Sequence, residues 1–255
     1  MAMNPMEQFA IKPLAGMDHP LFQIAGHPIY FTNQSLLMVI VVIVASLFLT
    51  LTVRPGRLVP TRGQSMAEAS YEFVANMIHS AAGDDGLKFF PFIFTTFVFV
   101  LFCNVFGMIP WSFTVTSQIA ITFAMTAFII SMVIVVGFMK HGLGFLKLFV
   151  PDAPIYLLIL LVPIEIISFF TRLVSLSVRL FANMLAGHTM LAVFAGFVVM
   201  LGAAGGILSI LSIGPMLMIV AIMLLELLVA GLQAYVFAIL TCIYLNEALH
   251  LHDHH

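Results

Sequence analysis

The sequence predicts an all-α membrane protein with five membrane helices and one amphipathic surface helix. The last two membrane helices are expected to be long, strongly tilted and paired as an antiparallel hairpin. Three observations carry this. Of the 255 residues, 62% are hydrophobic and 8% charged, against about 25% charged in an ordinary soluble domain. The apolar runs reach about 20 residues or more, the length that crosses ~30 Å of hydrocarbon as a helix, and they lack the alternation of a barrel strand. The final two runs are too long for upright crossings.

The formal net charge of −2 is too small to point to nucleic acid or another polyanionic partner. Cys103 and Cys242 lie inside apolar runs and read as small core residues, silent on redox compartment. The N-terminus lacks a basic stretch leading into a short apolar core and a small-residue cleavage site, so no signal peptide is expected. Neither a cofactor nor a metal site is expected, and the histidine-rich end, His250 to His255, reads as a solvated tail in preference to a metal site.

Taken in order, the chain forms a single membrane domain. Residues 1–32 carry Pro5, Pro13, Pro20 and Pro28, a density that excludes a long helix and predicts an irregular lead-in. Asn33 to Val53 is the first span, closed by Arg54-Pro55-Gly56. Residues 64–82 place Glu68, Glu72, Asn76 and His79 at helical spacing, with Met66, Tyr71, Val74 and Ile78 between them. That pattern predicts a helix lying along the membrane surface. Gly83-Asp84-Asp85-Gly86 predicts a turn. The second span is 89–109, with Asn104 near its end, and the third is 118–139, stopped by Lys140-His141-Gly142.

The long helices are predicted over 155–201 and 215–249, either side of a small apolar turn. Uninterrupted helix from Pro163 to Leu201 is about 39 residues, or ~58 Å, and Pro215 to Leu249 is about 35 residues, or ~52 Å. A tilt of roughly 60° from the normal would fit the first of these to the bilayer; the usual limit is ~40°, so a neighbouring protein surface is expected to hold it. Arg54, Arg57, Arg62, Lys88, Lys140 and Lys147 fall in two connections on one side. The positive-inside rule then places the N-terminus outside and the C-terminus in the cytoplasm.

Within this apolar body, Glu165, Arg172 and Arg179 recur every seven residues, and Asn183 follows one turn later, so all four share a helix face. Glu226 and Gln233 repeat the interval on the last helix. An arginine at mid-bilayer costs at least ~2.5–3.5 kcal/mol and cannot shed its proton. It is either functional, or snorkelling, or locked in a structural ion pair. If the last two helices fold back about Ile207, residue numbers across the contact sum to about 414, and His188 faces Glu226. An acid and a histidine so placed either relay protons near neutral pH or form a static pair that fixes register. Arg172 reads as a second charge near the cytoplasmic side, and Glu165 as part of an aqueous entrance. Ser168, Ser175 and Ser177 either line a wet path or pack helices. Asn104 and Tyr244 complete the candidate set.

The run Arg179-Leu180-Phe181-Ala182-Asn183-Met184-Leu185-Ala186-Gly187-His188, with Glu226 and the Gln233-Ala234-Tyr235-Val236-Phe237 stretch, resembles subunit a of the F-type ATP synthase. The likeness covers nearly the whole chain, including the Asn4-Pro5-Met6-Glu7-Gln8-Phe9 opening. Many bacterial members carry an acid where His188 stands and a histidine where Glu226 stands; here the two are exchanged, as in members akin to the mitochondrial branch. A departure lies near the end of the second span, where an aspartate common in the family is replaced by Gly107 or its neighbours.

The resemblance implies a non-catalytic stator that offers two offset half-channels to a ring of c subunits. Glu226, His188, Asn183 and Gln233 would belong to the proton path, Glu165 and Ser175 to the cytoplasmic exit, and Arg179 would separate the two. It further implies b-type peripheral-stalk partners, an indirect tie to the F1 sector, and a multi-pass protein of the bacterial inner membrane, with the mitochondrial inner membrane as alternative. Two other classes compete. A stand-alone secondary transporter or channel predicts internal repeats or broken helices, which the sequence lacks. A membrane anchor without transport leaves Arg179 and Glu226 without a role.

Overall fold

The computed structural model describes residues 22–24, 27–52, 61–109, 114–150 and 154–249. Several expectations lie outside these residues: most of the lead-in, the motif at 4–9, the arginines at 54 and 57, the breaker at 151–153 and the histidine-rich tail. The described chain is helical apart from one short strand pair, and five of its helices are long and apolar enough to cross a membrane. It is an all-α membrane protein.

The lead-in expectation needs correction at its end. Strand β1 (Phe22–Ile24) pairs antiparallel with β2 (His27–Ile29), with Phe22 opposite Ile29 and Gln23 opposite Pro28. Of the four prolines only Pro28 is described, and it lies in β2. A two-stranded pair has only edges, and an edge strand tolerates a residue without an N–H.

Helix α1 (Asn33–Thr52) starts where Thr32 caps it: the Thr32 hydroxyl accepts from the Ser35 N–H at 3.4 Å, and its carbonyl accepts from the Leu36 N–H at 3.1 Å. Helix α2 (Arg62–Gly86) is capped by Thr61, whose side chain accepts from the Gln64 N–H. Its buried residues, Ala67, Val74, Met77, Ile78 and Ala82, follow the helical repeat of one face, while Glu68 and Glu72 are exposed. The expected turn is a kink at Gly83 (φ 63, ψ −163) within the helix. A 3-10 turn at Leu87–Phe89 then leads into α3 (Phe90–Gly107).

Helix α4 (Ile119–His141) is followed by a 3-10 segment, Gly142–Phe149. Helix α5 (Ile155–Ala204) runs 50 residues without a break, with Pro163 inside it. Proline removes one ladder hydrogen bond, a loss that membrane helices accommodate. The predicted turn is shorter than expected. Gly205 and Gly206 (φ 69 and 61) follow the end of α5 in angles that only glycine takes without a Cβ penalty. A five-residue helix α6 (Ile207–Leu211) then precedes α7 (Ile213–Leu249).

By packing, the chain divides into two units. Of the described residues, one unit takes those up to Ser46 with those in Leu101–Gln118 and Leu180–Gln233; the other takes those in Leu47–Val100, Ile119–Arg179 and from Ala234 to Leu249. In the second unit, Val133, Phe145, Tyr244 and Ala248 form one buried cluster, and Ile130, Phe169 and Leu173 another. The Tyr71 and Phe90 rings meet at a tilt, 4.4 Å between centroids, and Phe73 contacts Phe97 and Tyr235 at 5.8 Å each, so aromatic rings tie α2 to α3 and α7. Lipid tails are as apolar as these side chains, so close packing and buried hydrogen bonds hold such helices together. One of these bonds joins the buried hydroxyls of Thr122 (α4) and Ser177 (α5) at 3.1 Å. In another, His141 donates from Nε2 to the Leu249 carbonyl at 3.2 Å, meeting an acceptor that the end of α7 leaves open.

Candidate functional site

In the first unit, helices α5 and α7 and the 114–117 turn bring together an acid, a histidine and a threonine. His188 Nε2 lies 3.6 Å from Glu226 Oε1, with the side chains 12% and 3% exposed. Gly187 makes this approach possible. A Cβ at that position would stand 2.6 Å from Glu226 Oε1 and 3.0 Å from its Cδ, so any other residue would push the carboxyl group off α5. The third member is Thr114. Its Oγ1 is 3.0 Å from His188 Nε2 and donates to the Gly107 carbonyl at 3.2 Å.

In the same unit several buried polar atoms lack protein partners. Both oxygens of Glu226, Asn104 Oδ1, Thr116 Oγ1 and Gln233 Nε2 are buried and make no hydrogen bond among the described residues. A buried polar group left without a partner costs about 1–3 kcal/mol, and native interiors carry few of them. All four residues belong to one unit. Asn104 is held from its other end, where Nδ2 donates to the Ala230 carbonyl of α7 at 3.3 Å. Ala230 is one turn before Gln233, so α3 grips α7 close to a buried amide.

Arg179 and Asn183 are one turn apart on α5, and both are exposed. Among the described residues, Arg179 has no ion-pair partner. Ser175, Ala182 and Ala186 are exposed beside them, which leaves a face of small side chains around one fixed positive charge. Glu165 is half-buried nearer the start of the helix.

Arg172, read from the sequence as a second charge near the cytoplasmic side, has a partner on α7. Its Nη1 lies 3.7 Å from Glu247 Oε1, and both side chains are partly exposed. The neighbouring Phe169 and Tyr244 rings are 6.4 Å apart. The arginine is thus one half of an ion pair near the end of α7, and Tyr244 is a packed core residue. Sequence reasoning passed over Glu247 because a carboxylate in the last turn of a helix reads as a surface charge. Of the three serines, Ser177 packs helices through Thr122, whereas Ser175 faces outward. Thr114 was missed altogether: it lies in an uncharged link, and nothing in the local sequence marks a hydroxyl aimed at a distant histidine.

The profile of the family described as ATP synthase A chain matches residues 35–246. The chain is 56% identical over 248 residues to ATP synthase subunit a of Mesorhizobium japonicum, covering 97% of this chain and 96% of that one. It is 55% identical over 251 residues to the subunit a of Chelativorans sp., covering 98% and 99%. With the subunit a of Hyphomonas neptunium it shares 52% over 254 residues, covering 99% and 98%. A match of this length and identity, on a five-span helical chain, places the protein in the ATP synthase A chain family.

Proposed function

We propose that this chain is the proton-channel stator of a bacterial F-type ATP synthase, non-catalytic in itself, lying in the inner membrane with its N-terminus outside and its C-terminus in the cytoplasm. It offers two offset half-channels to a ring of c subunits, so that proton flow turns the ring and drives ATP synthesis. The b-type stalk subunits hold it still, and the F1 sector is engaged indirectly. The observation that carries this reading is the buried His188–Glu226 contact at 3.6 Å, set among polar atoms that lack protein partners. A static ion pair is stable only when its remaining lone pairs are satisfied; buried polar atoms left without protein partners can instead bond to water or to a proton in transit.

In the proposed path, protons enter past Asn104, Glu226 and His188, with Gln233 and Asn183 further along. Glu165 and Ser175 serve the inner exit. The exposed face around Arg179 receives the ring. Small residues at 175, 182 and 186 allow another helix to approach closely, and the guanidinium attracts a ring carboxylate and keeps it ionised while repelling protons. The long helices α5 and α7, at about 75 Å and 55 Å by the 1.5 Å rise, would lie tilted as a hairpin along the ring. Each proton crossing releases ~2.3 kcal/mol per 100 mV, and the offset of the two paths turns that into rotation.

Glu226→Gln in vesicles carrying the assembled complex tests this. ATP hydrolysis continues, while ATP-driven proton pumping falls by about a hundredfold, within the range that a positioned acid–base group supplies. Pumping at the wild-type rate would remove Glu226 from the path.

A further inference from the structure

A hydroxyl group has one hydrogen and two acceptor lone pairs. Thr114 Oγ1 has two polar neighbours, the Gly107 carbonyl at 3.2 Å and His188 Nε2 at 3.0 Å. A carbonyl oxygen can only accept, so the Gly107 bond exists only while the hydroxyl hydrogen points to it. The contact with His188 is then satisfied only if Nε2 carries a hydrogen and donates it to Oγ1. The arrangement is tightly built. Thr114 is 4% exposed, and its carbonyl accepts from the buried Ser117 hydroxyl at 2.6 Å. A Cβ at residue 107 would stand 2.9 Å from Thr114 Cγ2, so glycine there leaves the space in which the threonine sits.

We infer that Thr114 is a positioning residue for proton transfer, holding His188 with its proton on Nε2 and that N–H directed between Thr114 and Glu226. This rests on the proposed reading of the site as a proton path. Glu226 is the charged group that faces this nitrogen among the described residues. The step assigned to the pair therefore runs from histidine to acid. With His188 doubly protonated, the Nε2–H bond breaks, an O–H bond forms at Glu226, and the ring returns to neutral with its remaining hydrogen on Nδ1. The Thr114 hydroxyl then turns its hydrogen from the Gly107 carbonyl to the bare Nε2. It serves as acceptor before the transfer and donor after it, so the ring keeps one position through both states. The reverse step retraces the same path.

The test compares Thr114→Val, which keeps the shape and removes the hydroxyl, with Thr114→Ser, which keeps the hydroxyl. Both are measured in vesicles carrying the assembled complex, with ATP-driven proton pumping followed across a pH series. Thr114→Val is expected to slow pumping about fivefold and displace the pH profile by about half a unit or more, the size of one hydrogen bond lost from one protonation state. Thr114→Ser should restore both. If the valine complex does not assemble, Thr114→Ala against Thr114→Ser carries the same comparison. A wild-type profile without the hydroxyl overturns the inference, as does an equal loss in the serine variant. Glu226→Gln, run alongside, separates the levels: if it lowers pumping about a hundredfold while Thr114→Val keeps the wild-type rate and pH profile, the path stands and the role of Thr114 falls.

Discussion

His188 and Glu226 stand thirty-eight residues apart in sequence and 3.6 Å apart in space. The contact depends on the absent side chain of Gly187. It joins α5 to α7 at a buried point, where the partners must suit each other because nothing dilutes their charges.

Exchange of the two residues follows from this. His188→Glu alone places two acids in contact, and Glu226→His alone places two histidines there; in both, like groups oppose each other's charged form. Each single variant is expected to lose proton pumping by about a hundredfold. The double exchange restores an acid–histidine contact and should recover to within about tenfold of wild type, a non-additivity expected of residues in direct contact. Pumping rates of the two singles and the double in the same vesicles decide this. A double variant no better than the worse single would show that the two side chains do not act together.

Gly187→Ala makes a different prediction, because the clash falls on a side chain that can move. The new methyl would meet the Glu226 carboxyl group at 2.6 Å, and a flexible side chain gives way more cheaply than backbone. Complex assembly and thermal stability should change little, by about 1 kcal/mol or less, within the lower range for overpacking. Pumping should fall about tenfold as the carboxyl group leaves the histidine. Unchanged pumping in a fully assembled complex would contradict the geometry given to this contact.

The Arg172–Glu247 pair is expected to matter little to transport. The charges are 3.7 Å apart and partly exposed, and exposed pairs contribute about 0–1 kcal/mol. Glu247→Gln should lower the midpoint of thermal unfolding slightly and leave proton pumping within about twofold of wild type. A large loss of pumping with stability intact would move Arg172 and Glu247 from structure to function.

Much of the architecture was legible because membrane helices are written in long apolar runs. Long apolar helices form over Asn33–Thr52, Ile119–His141, Ile155–Ala204 and Ile213–Leu249, since lipid enforces backbone hydrogen bonding within each segment. The facing of His188 and Glu226 was legible for a second reason: polar residues in an apolar body are few, and helical spacing leaves them few ways to meet. Thr114 was not legible, because its role depends on a loop folding back onto α3 and α5. The β1–β2 pair was hidden by prolines that exclude helix without excluding a short edge pairing. The partner of Arg172 was not legible, because Glu247 lies at a helix end, where charges are ordinarily solvated.

The most direct test of the account is ATP-driven proton pumping by the assembled complex with Arg179→Ala. A fixed charge that divides two proton paths has no substitute among neutral side chains. Pumping should therefore vanish while ATP hydrolysis and the subunit content of the complex persist. Retained pumping at a rate near wild type would contradict the central claim.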